Sequence, residues 1–536
     1  MSSTFVPGAV VLLVLWLCTK FLSSARRGTR TKTTKLDGPP SKNRIMGLSR
    51  FISQSLDISV VYEEWAARYG PVYEIPSAFG HKKIVLTDPM ALVHFYNSER
   101  AVYVKTESSR VFIAKIFGRG VLWAEGDMHK RQRKALTPAF SNAAIRRLTA
   151  VFFDSTYKLK SFWDTTLESS SDGSAIIEIE EWMNRIALDS IGIAGFSHDF
   201  RYLDGQQSPV TRAFEAFQAV EVSFLSDLIF HLSSVFPFVL NTPTPRMQLF
   251  WALRRSLNVI AERLLANARR EKEGNVAEEL TDKSVIGLLL KAEAAGTELC
   301  MTQEEVVAQV LSLYVMSDIR RKSFSQYIPQ WALIELVKHP EMQDKLRKDL
   351  SRFSAVDPTW DQLIYELPYL DAVVHETLRL HPPVTEILRE AACEDVIPLG
   401  TPIVTPTGET ISSVTVAKGS EVLAPIRCIN RSEALWGPDA KEFKPERWFE
   451  DITGGAKELQ GHRHLLTFHD GPRTCLGKSF ALAEFKAALS VLVRNFVFEF
   501  PDGPETKIEN HLAIVPRPKV AGQNGAKVPL RVRRVE

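Results

Sequence analysis

The segment Phe468-His469-Asp470-Gly471-Pro472-Arg473-Thr474-Cys475-Leu476-Gly477 constrains this chain more than any other. It sets one cysteine between two glycines, with an arginine two residues ahead and a helical stretch directly after. Glycine permits tight turns that let backbone amides approach a sulfur with no Cβ in the way. Those amides, and the positive end of a following helix, favour a thiolate over a thiol. A thiolate bound to iron depends on such support for its charge and potential. Arg473 is placed to pair with a carboxylate on the same face. A lone cysteine is more often a small buried hydrophobe. The spacing F-x-x-G-x-R-x-C-x-G decides against that here, because it arises by accident in roughly one chain in ten thousand of this length.

The remaining cysteines (Cys18, Cys300, Cys393 and Cys428) are scattered and form no disulfide framework or C-x-x-C zinc pattern. A reducing compartment follows. With 66 basic and 63 acidic residues the net charge is +3, which gives no sign of a nucleic-acid binder. The 536 residues exceed the usual single core, so a large domain or two lobes is expected.

The N-terminus differs in kind. Phe5 to Leu22 is an apolar run of 18 residues in which Lys20 is the only charge. At helical rise it spans about 27 Å, the hydrocarbon thickness of an endoplasmic-reticulum bilayer. Arg26 to Arg44 follows with seven basic residues against one acid, Asp37, a flank that the positive-inside rule keeps cytoplasmic. A cleaved signal peptide is the rival reading, since Ser23-Ser24-Ala25 loosely fits a cleavage site. The missing basic start and the charge on the far side favour an uncleaved anchor over 1–25 and a basic, Pro-containing linker over 26–50.

Beyond the linker, Val72 to Ile75 and Ile84 to Thr87 read as strands closed by Pro76 and by Asp88-Pro89. Helical periodicity dominates from about 91 to 380; Leu257, Ile260, Ala261, Leu264, Leu265 and Ala268 share one apolar face. Ser169 to Ser174 is a loop between helices. Past 384 the chain turns loop-rich, with short strands at Ser413 to Val416 and Glu421 to Leu423, and a last strand at Phe496 to Phe500. The expected fold class is mainly α with a small β lobe.

The cysteine loop resembles the haem-binding signature of the cytochrome P-450 family, and the resemblance extends over most of the chain. Glu376-Thr377-Leu378-Arg379 resembles that family's E-x-x-R helix, with both side chains on one face. Phe443 to Trp448 is similar to its P-E-R-F-like segment, which implies a structural triad of Glu376, Arg379 and Arg447 behind the haem. Gly126 to Lys134 resembles the helix that supplies propionate donors, and implies that role for His129 and Arg133. Lys130, Arg131 and Lys134 read equally well as a solvated basic face. Leu188 to Gly192, with Phe196 to Phe200, resembles a packing helix of the family's core. Arg389 lies where the family places another propionate contact. Phe468, Gly471, Arg473 and Gly477 complete the implied cofactor-binding set around the metal ligand Cys475.

One stretch departs from the family. Its central helix begins normally at a capping box, Thr302-Gln303-Glu304-Glu305, followed by apolar faces. The expected A-G-x-E/D-T-T segment is replaced by Met316-Ser317-Asp318-Ile319-Arg320-Arg321-Lys322-Ser323-Phe324. Three buried charges over a haem would be costly unless paired, and Pro329 is expected to break a continuous helix. Either an exon boundary is misplaced or the divergence is real, with Asp318 or Ser323 handling protons. The abruptness of the change between regular flanks favours the first.

The resemblance implies a haem-thiolate monooxygenase domain over 51–536 holding one haem b, whose thiolate pushes electron density onto iron. It implies electrons from NADPH through a membrane-bound reductase, with cytochrome b5 as a further donor it allows. Lys478 and Lys486 are candidates to steer that acidic partner. The substrate expected is an apolar small molecule, a secondary metabolite or a xenobiotic. The site is the cytoplasmic side of the endoplasmic-reticulum membrane, reached by a single pass in contact with lipid. A peroxide-using, isomerising or inactive haem-thiolate protein is the alternative that the altered central helix raises.

Overall fold

Local chemistry sets where the helices that matter begin. Asp88 accepts a hydrogen bond from Ala91 N at 3.0 Å, and Pro89 fills the first helical position, so α1 runs Pro89–Ser98. Glycine at the start and two basic residues, Arg133 and Lys134, in the last turn bracket α2, Gly126–Leu136. Ser141 caps α3, Asn142–Glu168, by accepting from Ala144 N at 3.3 Å. α4 is Ile179–Phe196, α5 Gln303–Asp318, α6 Phe324–Lys338, α7 Pro368–Leu380 and α8 Lys478–Asn495. The computed structural model describes residues 33–536 except 44, 197, 207–231, 233–237, 240–241, 243, 274–284, 295–298, 319–323, 512–516 and 524.

The core is built where helical faces meet. α3 buries Phe152, Leu159 and Trp163 at helical spacing. Phe152 meets Phe480 of α8 edge-on at 4.9 Å, and Trp163 meets Phe496 at 5.3 Å. Such pairs add to the area they bury. α4 is buried along most of its length, and its Asp189 accepts from Tyr202 N and Leu203 N, both at 2.9 Å. The expected face at 257–268 is present, with Ala261, Leu264, Leu265 and Ala268 all buried.

The β portion is distributed along the chain in small sheets. A five-stranded sheet is ordered β1 (Val72–Pro76), β2 (Lys82–Leu86), β8 (Glu421–Ala424), β5 (Ile387–Ala391) and β3 (Tyr103–Val104). β2 and β8 pair in parallel, so N-terminal and C-terminal segments share one sheet. β4 (Ser174–Glu178), β12 (Pro529–Arg534) and β9 (Phe496–Glu499) form a second sheet, and β10 (Ile508–His511) pairs with β11 (Arg517–Val520). A long hairpin joins β6 (Asp395–Val404) to β7 (Thr410–Val416).

Two expectations look different in three dimensions. The stretch read as linker is docked from Thr33 onward: Thr34 N donates to Thr415 O, and Glu74 N to Asp37 O, both at 2.9 Å. Pro329 lies inside α6 and does not end it. Among the described residues no helix is long and apolar enough to cross a membrane. The anchor expected over 1–25 lies outside those residues.

Candidate functional site

The cysteine loop is pinned at both ends of its turn. Cys475 N donates to Phe468 O at 2.8 Å, and Thr474 Oγ1 to Gly471 O at 2.7 Å. Gly471 has φ +62°, and a Cβ there would lie 2.5 Å from Tyr96 O of α1, so this position admits only glycine without a shift. Gly477 is different. It caps α8 at φ −84°, and an added Cβ would meet only Phe140, at 3.9 Å. The tight approach expected there does not come from the chain's own packing. Phe468 is buried, whereas Cys475 is exposed within a half-buried stretch.

Behind the loop, Glu376 is fully buried and receives five donors. Arg379 binds it in bidentate fashion, Nε to Oε2 at 2.9 Å and Nη2 to Oε1 at 2.8 Å. Arg447 Nε (2.8 Å) and Lys444 N (2.9 Å) reach Oε1, and Trp448 Nε1 reaches Oε2 at 3.0 Å. An i,i+3 pair on a surface is worth little. Here Glu376 and Arg379 have no exposed surface, so the pair is held only by full hydrogen bonding. The structure thus brings together the three residues that the sequence grouped, and adds Trp448.

On the other side lies a concentration of cations. Arg389 on β5 places Nε 2.7 Å from Glu99 Oε1, an ion-pair distance without hydrogen-bond alignment. Glu99 also holds His469 of the loop in a short hydrogen bond. Arg473 bonds Glu125 and reaches Ala124 O at 3.3 Å, while Lys105 bonds Glu125 at 3.0 Å. Burial would raise the Glu99 carboxyl, yet His469, Arg389 and Arg473 hold it below its ordinary value. Burial, then Arg473, pushes Lys105 down to about 8 despite Glu125. Burial, then Arg473, Lys105 and Arg133, pushes His129 down to about 3. Arg133 is also lowered by burial, with Cys475 pulling the other way, so these two lie within electrostatic reach. Four fixed cations (Lys105, Arg133, Arg389, Arg473) therefore face two carboxylates (Glu99, Glu125), a surplus of two positive charges.

That surplus is the balance two propionates would supply, and the buried Arg473 Nε lacks a partner. An accessible cysteine beside an unpaired pair of positive charges fits a haem. His129 and Arg133 are brought together as expected, as are Arg389, Arg473 and Cys475. Lys130 and Lys134 are exposed, but Arg131 is not a solvated cation, since it bonds Glu305 and Cys300 O. Asp318 ends α5, with its side chain outside the described residues, and Ser323 lies outside them altogether. Lys486 cannot steer a partner: it is 2% exposed and paired with Asp371 at 2.7 Å. Glu99, Lys105 and Glu125 were not singled out, because their role comes from long-range packing that no local spacing encodes.

The sequence model described as Cytochrome P450 matches residues 38–522. The chain is 54% identical over 528 residues to the cytochrome P450 monooxygenase claQ of Ampulloclitocybe clavipes, covering 98% of this chain and 97% of that one. It is 55% identical to claO of the same organism, with 98% of each covered. Cytochrome P450 monooxygenase 205 of Postia placenta is 34% identical, with 93% and 92% covered.

Proposed function

The chain belongs to the cytochrome P450 family, an oxidoreductase of the monooxygenase kind with a haem cofactor, and we propose from that premise that Cys475 is its iron ligand. The observation that carries this is the exposed Cys475, held at Phe468 O and facing a cation surplus of two. Haem b, when bound, supplies activation of dioxygen and transfer of one oxygen atom to substrate. The chain supplies the rest. Arg133, Arg389, Arg473 and Lys105 neutralise the propionates. His129, four residues ahead of Arg133 on the same helix, gives them a hydrogen bond. Glu376, Arg379 and Arg447 hold the wall behind the loop.

The substrate is an apolar small molecule, in keeping with an anchor at 1–25 that places the enzyme on the cytoplasmic face of the endoplasmic-reticulum membrane. Electrons come from NADPH through a membrane-bound reductase, with cytochrome b5 as an accessory donor. The reduced carbon-monoxide difference spectrum tests the ligand. Wild-type protein is expected to show the thiolate band and Cys475→Ala to lose it; a variant with an unchanged spectrum sinks the reading. Reductase-driven turnover of NADPH then tests the electron route.

A second reading follows from the sequence Met316 to Phe324, which stands where the family's A-G-x-E/D-T-T segment is expected. It keeps the thiolate ligand but replaces dioxygen and NADPH by peroxide, or isomerises. Product formation supported by peroxide and absent with reductase would favour it.

A further inference from the structure

Two histidines outside the cation cluster meet nitrogen to nitrogen. His375 Nε2 and His462 Nε2 lie 3.2 Å apart. His375 precedes Glu376 on α7, and His462 lies on a short turn ahead of Phe468. Their other partners fix which nitrogens carry hydrogen. His375 Nδ1 is 2.8 Å from Asp371 O, a carbonyl that only accepts, so Nδ1 is the protonated nitrogen. Lys478 Nζ is 3.5 Å from His462 Nδ1, and an ammonium only donates, so that nitrogen accepts. His462 Nε2 then carries the hydrogen and donates to His375 Nε2. The run Lys478 to His462 to His375 to Asp371 O is complete with two neutral rings and has one direction. A proton added to either ring turns two N–H groups against each other.

The pair touches Phe468 of the loop, the Trp448 that donates to Glu376, and the start of α8. The His462 ring lies 6.1 Å from that of Phe468, whose carbonyl holds Cys475 N. His375 packs at 5.4 Å against Trp448, which donates to Glu376. Lys478 opens α8, three residues past Cys475. The charged groups around the pair are Asp371, Lys478, Lys486, Arg463 and Glu376. Burial, then His375, Lys478 and Arg463, holds His462 down to about 3, against Asp371.

We propose that His375 and His462 are positioning residues for Cys475, a one-directional neutral pair that locks the loop to the Glu376 triad and releases it on taking up a proton. The proposal rests on Cys475 being the iron ligand.

The test follows the thiolate band of the reduced carbon-monoxide complex against pH in the full haem-loaded chain. His462→Gln keeps the polarity, with amide nitrogen donating to His375 and amide oxygen accepting from Lys478, but has no proton to gain. It is expected to retain the wild-type band at neutral pH and to lose it about one pH unit or more lower. His462→Phe keeps a ring without the chain and is expected to show a several-fold smaller band at neutral pH. Lys478→Met removes a cation facing His462 and is expected to move the acid loss upward. Should the Phe variant not fold, the other two still decide. Equal acid midpoints for wild type, His462→Gln and Lys478→Met overturn the proposal, as does a full band in His462→Phe. Wild-type protein with bound haem and no thiolate band at any pH is a separate failure, that of the ligand assignment.

Discussion

Arg389 Nε stands 2.7 Å from Glu99 Oε1, and Glu99 has no exposed surface. One buried carboxylate therefore joins a strand of the five-stranded sheet to the cysteine loop, because its other oxygen holds His469. Removing it takes the shared carboxylate from Arg389 and His469 together. Glu99→Ala is expected to cost about 3–5 kcal/mol, the range for breaking a buried pair. Urea denaturation of the haem-loaded protein measures it, and an unchanged midpoint would show that the contact is idle.

Arg379 offers a sharper geometric test. Its guanidinium makes two parallel bonds to Glu376 and a third from Nη1 to Asn430 O at 2.9 Å. Lysine carries the same charge but cannot reproduce that fork. Arg379→Lys is expected to be nearly as harmful as Arg379→Ala, with most of the protein failing to retain haem. A lysine variant that loads haem like the wild type would show that charge alone suffices there.

Sequence order carried the triad and the loop because both are local patterns joined by fixed separations. Glu376, Arg379, Arg447, Phe468 and Cys475 all lie where their motifs put them. Glu99, Glu125 and Lys105 were invisible for a physical reason. Glu99 and Glu125 contribute by meeting residues hundreds of positions away, as Arg473 meets Glu125 and His469 meets Glu99, and Lys105 joins them through Glu125, 20 positions on. Lys486 misled for the opposite reason: a lysine on a helix after the loop reads as exposed, and only packing reveals its burial against Asp371. β1, β2, β8, β9 and part of β7 were legible singly, but β3, β4, β5, β6 and β12 were not, nor was the parallel pairing of β2 with β8, since pairing partners leave no mark on alternation.

Acid should weaken the core where Glu335 sits. Its carboxylate lies 3.0 Å from His381 Nε2 and 3.2 Å from Lys338 Nζ, and His381 stacks on Trp331 at 3.8 Å. Burial would raise this carboxyl, but His381 and Lys338 hold it down to about 2. Burial keeps His381 itself low, at about 4 despite Glu335. The lysine and the hydrogen bond act on Glu335 whatever the charge of that ring. A folded value below the unfolded one means stability that is present above about pH 4.5 and lost as pH falls toward about 2. The contribution is at most about 3 kcal/mol. Glu335→Gln is expected to lower stability at pH 7 and to flatten its fall across that window. Parallel wild-type and variant curves of denaturation midpoint against pH would count against this.

Gly471 tests how far the loop depends on helix α1. Its φ of +62° is costly for any residue with a Cβ, and that Cβ would lie 2.5 Å from Tyr96 O and 2.9 Å from Tyr96 C. Backbone atoms cannot swing aside as a side chain can, so Gly471→Ala must move the turn. The turn is the one whose carbonyl takes Thr474 N at 3.1 Å, one residue before Cys475. Strain and displacement together are expected to cost about 2–3 kcal/mol. The displacement should also shrink the thiolate band of the carbon-monoxide complex, while a Gly477→Ala variant, with its ordinary φ and open surroundings in the protein, separates backbone strain from crowding at the cofactor face. If Gly471→Ala kept the full band and the wild-type denaturation midpoint, the close contact between Tyr96 and the loop would not be what sets the position of Cys475.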